Sequence, residues 1–399
     1  MSPTKRLGEN EFIAMIATLF AIIALSIDAM LPALPQIANT LVADAPNRAQ
    51  LVITSFVFGM GLGTLFVGPL SDAFGRRRTL LLGGVVYVIG ALICFLAPSL
   101  ETLLFARVIQ GIGAAAPRIV GLAIVRDLYK GREMAKIMSV AMVIFMLVPA
   151  VAPLMGAAVI RFAGWREIFL CYVIFCGLAM AWFWRRQPET LPLDQRRPLA
   201  IATLFAAMKE LTHHRIVVIA TLVQSLTLGA LFASLSSMQG VFDVRFDRAD
   251  SFPMWFALIA VASMLGSVVN AKIVVSVGMR KVVFYTYGGF LTITLTLLVL
   301  IKLGMMPESL AFGAHILWSI ALFSMMGLTM GNLTALSMEP VGHIAGLAAS
   351  VMGAVSTVLA VLVAVPLGLA FDGTAEPLML GITVLIACCV GLMKLAPRQ

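Results

Sequence analysis

Residues 51–96 read LVITSFVFGMGLGTLFVGPLSDAFGRRRTLLLGGVVYVIGALICFL. Two apolar runs flank a short turn that closes on Arg76, Arg77 and Arg78. Each run has about 20 residues, the length a helix needs to cross a bilayer. Neither alternates with period two, so the stretch does not read as strands of a membrane barrel. It reads as two spanning helices joined by a cationic loop.

The same pattern fills the chain. Twelve apolar segments are predicted: 12–34, 49–71, 79–98, 100–125, 136–160, 165–186, 214–240, 251–275, 281–303, 308–330, 343–370 and 375–396. Composition agrees. Hydrophobic residues make up 61% of the 399 residues before the 33 Gly are counted. A soluble protein has about 45–50% with Gly included. Charged residues are only 12%, and the mean hydropathy is +1.03. This excludes a soluble enzyme, a disordered chain and a disulfide scaffold. Cys94, Cys171, Cys176, Cys388 and Cys389 sit in apolar runs with no C-x-x-C pair, and read as packing residues. The apolar run after Lys5 and Arg6 lacks a small-x-small cleavage site and reads as an uncleaved first helix.

The longest polar stretch between spans, Arg185 to Arg215, carries Pro188, Pro192 and Pro198 and falls at the midpoint. It divides the chain into an N-terminal six-helix half (1–186), a cytoplasmic linker (187–213) and a C-terminal six-helix half (214–399). With the N-terminus inside, 20 of the 28 Lys and Arg fall in inside segments and 6 in outside segments. That bias places both termini in the cytoplasm. It also accounts for the net charge of +9 without nucleic acid, since no basic run carries interleaved aromatics.

Three charges lie within spans: Asp28, Arg107 and Arg118. Such groups are costly in hydrocarbon and mark function by default. Asp28 lies roughly 9 Å from the outer end of helix 1, and Arg107 roughly 10 Å into helix 4. An ion pair or water-bridged pair is therefore feasible if the two helices are neighbours. Arg118 is three turns beyond Arg107, on the same face and roughly 16 Å closer to the cytoplasm. Competition between burial and a nearby Arg suits Asp28 to proton exchange. The bland alternatives are an Asp–Arg pair that only joins two helices, and an Arg118 that snorkels to the surface.

The loop Gly68-Pro-Leu-Ser-Asp72-Ala-Phe-Gly75-Arg76-Arg77-Arg78 resembles the loop signature of the major facilitator superfamily, with Ala73 where that signature has Arg or Lys. Arg107-Val-Ile-Gln110-Gly111-Ile-Gly113 resembles the helix-4 motif of its proton-coupled members. Pro149-Ala-Val-Ala-Pro153-Leu-Met-Gly156 resembles a shortened antiporter motif of helix 5. With Asp28 to Pro35, Val125-Arg126-Asp127-Leu-Tyr129, Asn332 to Pro340 and Ala345 to Ser350, these stretches are similar to Bcr/CflA-type drug:proton antiporters. A degraded copy of the loop signature, Gly278-Met-Arg280-Lys281, lies where an internal repeat would put it.

The resemblance implies an all-α fold of twelve helices in two pseudo-symmetric halves in a bacterial inner membrane, working by alternating access as a monomer without cofactors. It implies proton coupling at Asp28 and Arg107, and gating at Gly68, Asp72, Gly75, Arg76, Arg77, Asp127, Pro149, Pro153 and Gly156. The implied substrate cavity includes Phe20, Met30, Gln110, Arg118, Met142, Phe145, Met146, Gln224, Ser237, Met238, Gln239, Trp318, Met325 and Asn332. Phe20 occupies the region where some relatives carry a second acid. The implied activity is export of hydrophobic drugs or related small molecules against protons. The alternative is a dedicated exporter or symporter of an amino acid, peptide or sugar. An enzyme would need a nucleophile–base pair or metal cluster at membrane depth, and no Walker, G-x-S-x-G or H-E-x-x-H pattern is present.

Overall fold

A computed structural model describes residues 7–196 and 201–396. Of the cations counted above, Lys5, Arg6, Arg197 and Arg398 lie outside those residues. The described chain is helical: α1 (Glu9–Asp28), α2 (Leu34–Leu41), α3 (Leu51–Phe74), α4 (Arg76–Leu96), α5 (Leu100–Leu128), α6 (Gly131–Phe162), α7 (Glu167–Arg186), α8 (Ile201–His213), α9 (Arg215–Gly240), α10 (Phe252–Val277), α11 (Met279–Lys302), α12 (Glu308–Met338), α13 (Ala345–Leu369) and α14 (Glu376–Leu395). Eleven continuous helical stretches are long and apolar enough to span a membrane. One of them, Glu308–Leu369, holds 62 residues. It breaks at the 3-10 segment Glu339–Ile344, where Val341 leaves helical geometry, and so supplies both α12 and α13. The protein is a multi-pass membrane protein.

Local chemistry explains the differences from the sequence reading. The first span does not run unbroken to Leu34. Pro32 and Pro35 stop α1 at Asp28 and continue it as a 3-10 turn and then α2. The linker is not all loop, because Leu204, Ala207 and Leu211 share one buried helical face of α8.

Two compact units emerge. The first holds residues 1–44 and 55–204, the second 45–54 and 205–399. In the first, α4 packs along α5, and α1 packs against α5, α6 and α7. In the second, α9 packs on α13, and α12 on α10 and α11.

The units share three internal contacts at matching places. In the first, Ser26 of α1 shares a 2.5 Å hydrogen bond with the Tyr87 hydroxyl of α4. In the second, Thr227 of α9 shares one of 2.6 Å with the Tyr287 hydroxyl of α11. The α3–α4 turn passes through Gly75 at φ 97°, and the α10–α11 turn through Gly278 at φ 91°. Only glycine adopts such values at low cost. Two residues after each glycine an arginine donates to the last turn of the unit's final spanning helix: Arg77 to the Trp184 carbonyl, and Arg280 to the Met393 carbonyl. A duplicated six-helix element accounts for all three. The registration also pairs Asp28, two residues after Ser26, with Gly229, two residues after Thr227. The acid has no counterpart in the second unit.

Close packing in the first unit rests on small residues. A Cβ added at Gly113 would collide with the Tyr87 backbone nitrogen, whereas one at Gly177 meets nothing within 4 Å. Overpacking costs about 1–3 kcal/mol or more. Gly113→Val should lose most of the monodisperse protein in detergent size-exclusion chromatography, while Gly177→Val keeps it.

Candidate functional site

Asp28 ends α1. It is 5% exposed and makes no hydrogen bond or ion pair with any described residue. The direct pair with Arg107 foreseen from helix depth does not form. Arg107 is fully buried on α5 and is held elsewhere. One terminal nitrogen donates to the Ser26 carbonyl at 2.9 Å, the other to Gln110 Oε1 at 2.8 Å. Its guanidinium lies 4.3 Å over the Phe56 ring. These partners satisfy the cation two residues short of Asp28, so the two charges share a neighbourhood without neutralising each other.

α6 closes the other side. Gly156 sits against the Ala29 carbonyl so closely that any Cβ would overlap it. Pro153 and Pro149 lie about one and two turns earlier within α6. Two residues that the sequence reading missed complete the site. Tyr87 hydrogen-bonds Ser26, and Tyr172 of α7 is fully buried with its hydroxyl unpartnered. The Gln110 amide nitrogen is also unpartnered. A phenol inside an apolar helix was the available signal, since buried Tyr hydroxyls seek partners. The result is a cluster of polar groups on α1, α4, α5 and α7 near the end of α1 that carries the lone carboxyl.

The other expected cavity residues divide. Phe20 is buried on α1 beside Gly121, and Met30 is buried in the turn after Asp28. On α6, Met142 is exposed while Phe145 and Met146 are half-buried. In the second unit, the Gln224 amide donates to Thr334 at 3.3 Å and Ser237 to Gln50 at 3.1 Å. Trp318 donates to Thr294 at 3.0 Å and Asn332 to Asn270 at 2.7 Å. Met238 and Met325 are buried, as is Gln239, whose carbonyl oxygen has no partner. Most of these side chains are thus engaged within their own unit.

Of the expected gating residues, Gly68, Asp72, Gly75, Arg76, Arg77 and Asp127 gather about the α3–α4 turn, while Pro149, Pro153 and Gly156 lie on α6. Gly75 makes the turn from α3 into α4, and Gly68 precedes Pro69 within α3. Arg76 then bridges two acids: Asp72 at 2.5 Å and Asp127 of α5 at 2.9 Å. Arg76 thereby supplies a cation beside Asp72 although Ala73 carries none. Sequence reading missed the clasp over this turn. Glu189 accepts from the backbone N–H groups of Arg76 at 2.8 Å, Arg77 at 3.1 Å, Thr190 at 3.1 Å and Leu191 at 3.1 Å. Arg196 lies 3.8 Å from the same carboxylate, and Thr190 donates to Asp127 at 2.8 Å. A carboxylate at the first N–H groups of α4 meets the positive end of the helix dipole. Nothing in the linker's composition marked Glu189, because its partners are main-chain groups of a distant segment.

Among the described residues, no three His, Cys, Asp or Glu gather as a metal site. Buried charge inside a twelve-span helical bundle, with a clasped loop between spans, defines a membrane transporter. Residues 15–366 match the Major Facilitator Superfamily, and the chain belongs to that family. It is 29% identical over 350 residues to a bicyclomycin resistance protein homolog of Haemophilus influenzae, covering 86% of this chain and 85% of that protein. It is 30% identical over 391 residues to a chloramphenicol resistance protein of Pseudomonas aeruginosa, covering 93% and 88%. A crystal structure of a D-xylose–proton symporter superposes with a TM-score of 0.78 at 16% identity, covering 98% of both chains. That likeness establishes the fold. The family comprises transporters, not enzymes.

Removing an acceptor from buried N–H donors costs about 1–3 kcal/mol. Glu189→Ala should therefore loosen the 187–196 segment. Limited trypsin digestion should cut at Arg196 several-fold faster than in wild type, and Glu189→Gln should be intermediate.

Proposed function

We propose that this protein is a proton-coupled exporter of hydrophobic drugs or related small molecules. The observation that carries the reading is Asp28. It is a buried carboxyl at the end of α1 that no described residue holds by a hydrogen bond or ion pair. An isolated ionised carboxylate in such surroundings is expensive. The group therefore serves best by carrying a proton in one state and giving it up in another. Arg107, held by Ser26 and Gln110, leaves the carboxyl free of a salt bridge. Substrate and proton then compete for the same neighbourhood, and the inward proton gradient drives substrate outward by alternating access.

The similarity to proteins named for bicyclomycin and chloramphenicol resistance supports drugs as cargo. The asymmetry of the repeat supports a single coupling site, since Gly229 stands opposite Asp28. The Arg76–Asp72–Asp127 bridges would break and re-form as the protein changes state. The distribution of Lys and Arg supports both termini in the cytoplasm of a bacterial inner membrane, and the two units are the six-helix halves that carry the cycle.

The test is transport in proteoliposomes under an imposed pH gradient, with chloramphenicol and a fluorescent lipophilic cation as substrates. Wild type should accumulate at least one of them in proportion to the gradient. Asp28→Asn should lose gradient-driven accumulation by about tenfold or more, as expected when an obligatory proton site is removed. Full retention of antiport in Asp28→Asn would remove this mechanism.

A further inference from the structure

Arg118 is the second arginine of α5, and the contacts above give it no role. It is exposed at the surface of the first unit. It makes no hydrogen bond, ion pair or ring contact with any described residue. Its position on α5 follows from three glycines that mark the helix's neighbours. Gly111 faces Phe56 and Met60 of α3, Gly113 faces Tyr87 of α4, and Gly121 faces Phe20 of α1. At about 100° per residue, Arg118 lies about 20° from Gly111, about 60° from Gly121 and about 140° from Gly113. Its direction thus falls between α3 and α1 and away from α4.

Depth bears on the snorkelling alternative. Arg118 is about 16 Å along α5 from Arg107 and about 15 Å from the far end of the helix at Leu128. Reaching a headgroup from there requires the side chain to extend fully along the helix. An unpaired guanidinium at that depth is costly unless it faces a water-filled cavity or meets an anion. No described residue supplies an anion to it. Asp28, the unpaired acid within the spans of the unit, is buried near the opposite end of the span.

We infer that Arg118 is a recognition site for a carboxylate on the transported molecule, so that the cargo includes amphipathic carboxylates as well as uncharged drugs. The inference rests on the proposed transport function and names the substrate class of that same cavity. The guanidinium presents a planar fork that matches a carboxylate with two parallel hydrogen bonds.

The test is equilibrium binding to the purified full-length chain in neutral detergent, read by fluorescence anisotropy. The probes are 7-(diethylamino)coumarin-3-carboxylate and its methyl ester. Wild type should bind the carboxylate more tightly than the ester. Arg118→Gln should weaken the carboxylate by about tenfold or more and leave the ester within about twofold, the pattern of a lost charge pair. Arg118→Lys should recover part of the loss, as a point charge without the fork. Added phosphatidylglycerol should not displace the probe.

The inference is overturned if wild type does not prefer the carboxylate, or if Arg118→Gln weakens both probes equally or neither. It is also overturned if phosphatidylglycerol competes, which would make the site one for lipid phosphate. The assay applies no pH gradient, so failure of proton coupling in proteoliposomes leaves this binding result standing. The reverse also holds.

Discussion

Charge is expensive inside this protein, and the few charges placed there organise the rest. In a bilayer every ionised group must find a partner, a cavity or a proton. Arg107 finds partners in a main-chain carbonyl, an amide and an aromatic face. Because it does, it leaves Asp28 alone. The packing around that carboxyl follows from the need to enclose it. Gly156 brings α6 onto the carbonyl next to it, and the break before Pro32 places it where a regular helix stops. Tyr87 ties α4 to α1 one half-turn below.

The repeat shows which features are structural and which are special to one half. The Ser–Tyr and Thr–Tyr hydrogen bonds, the two positive-φ glycines and the two arginines on terminal carbonyls occur in both units. They hold a six-helix element together. Asp28, Arg107 and Arg118 have no such duplication. The Arg76 bridges and the Glu189 clasp also belong to the first unit alone among the described residues. Chemistry is therefore concentrated in one half of a duplicated scaffold.

The fold was legible because hydropathy and length dictate spanning helices, and because Gly75 and its arginines mark a turn that little else produces. The site was legible in part. Asp28 and Arg107 stand out by charge alone in an apolar run, and Arg76, Asp72 and Asp127 by their motif. Whether Asp28 pairs with Arg107 was not legible. Helix depth fixes height but not the rotamer that carries Arg107 to Ser26. Tyr87, Tyr172 and Glu189 were missed for a common reason. Tyr87 and Glu189 matter through contacts across 61 and 113 positions of chain, and Tyr172 through a buried hydroxyl left without a partner, and none of these is encoded by a charge or a motif. On α9 and α12, Gln224, Ser237, Trp318 and Asn332 hydrogen-bond to neighbouring side chains, as polar residues of spanning helices often do.

The central claim is that the lone carboxyl of Asp28 exchanges a proton for substrate. The most direct measurement is the proton balance of binding itself. Purified protein in lightly buffered detergent would be mixed with saturating chloramphenicol while a pH indicator is followed. The account predicts release of about one proton per protein near neutral pH, and none from Asp28→Asn. Equal release from wild type and Asp28→Asn, or none from wild type at any pH where substrate binds, would contradict it.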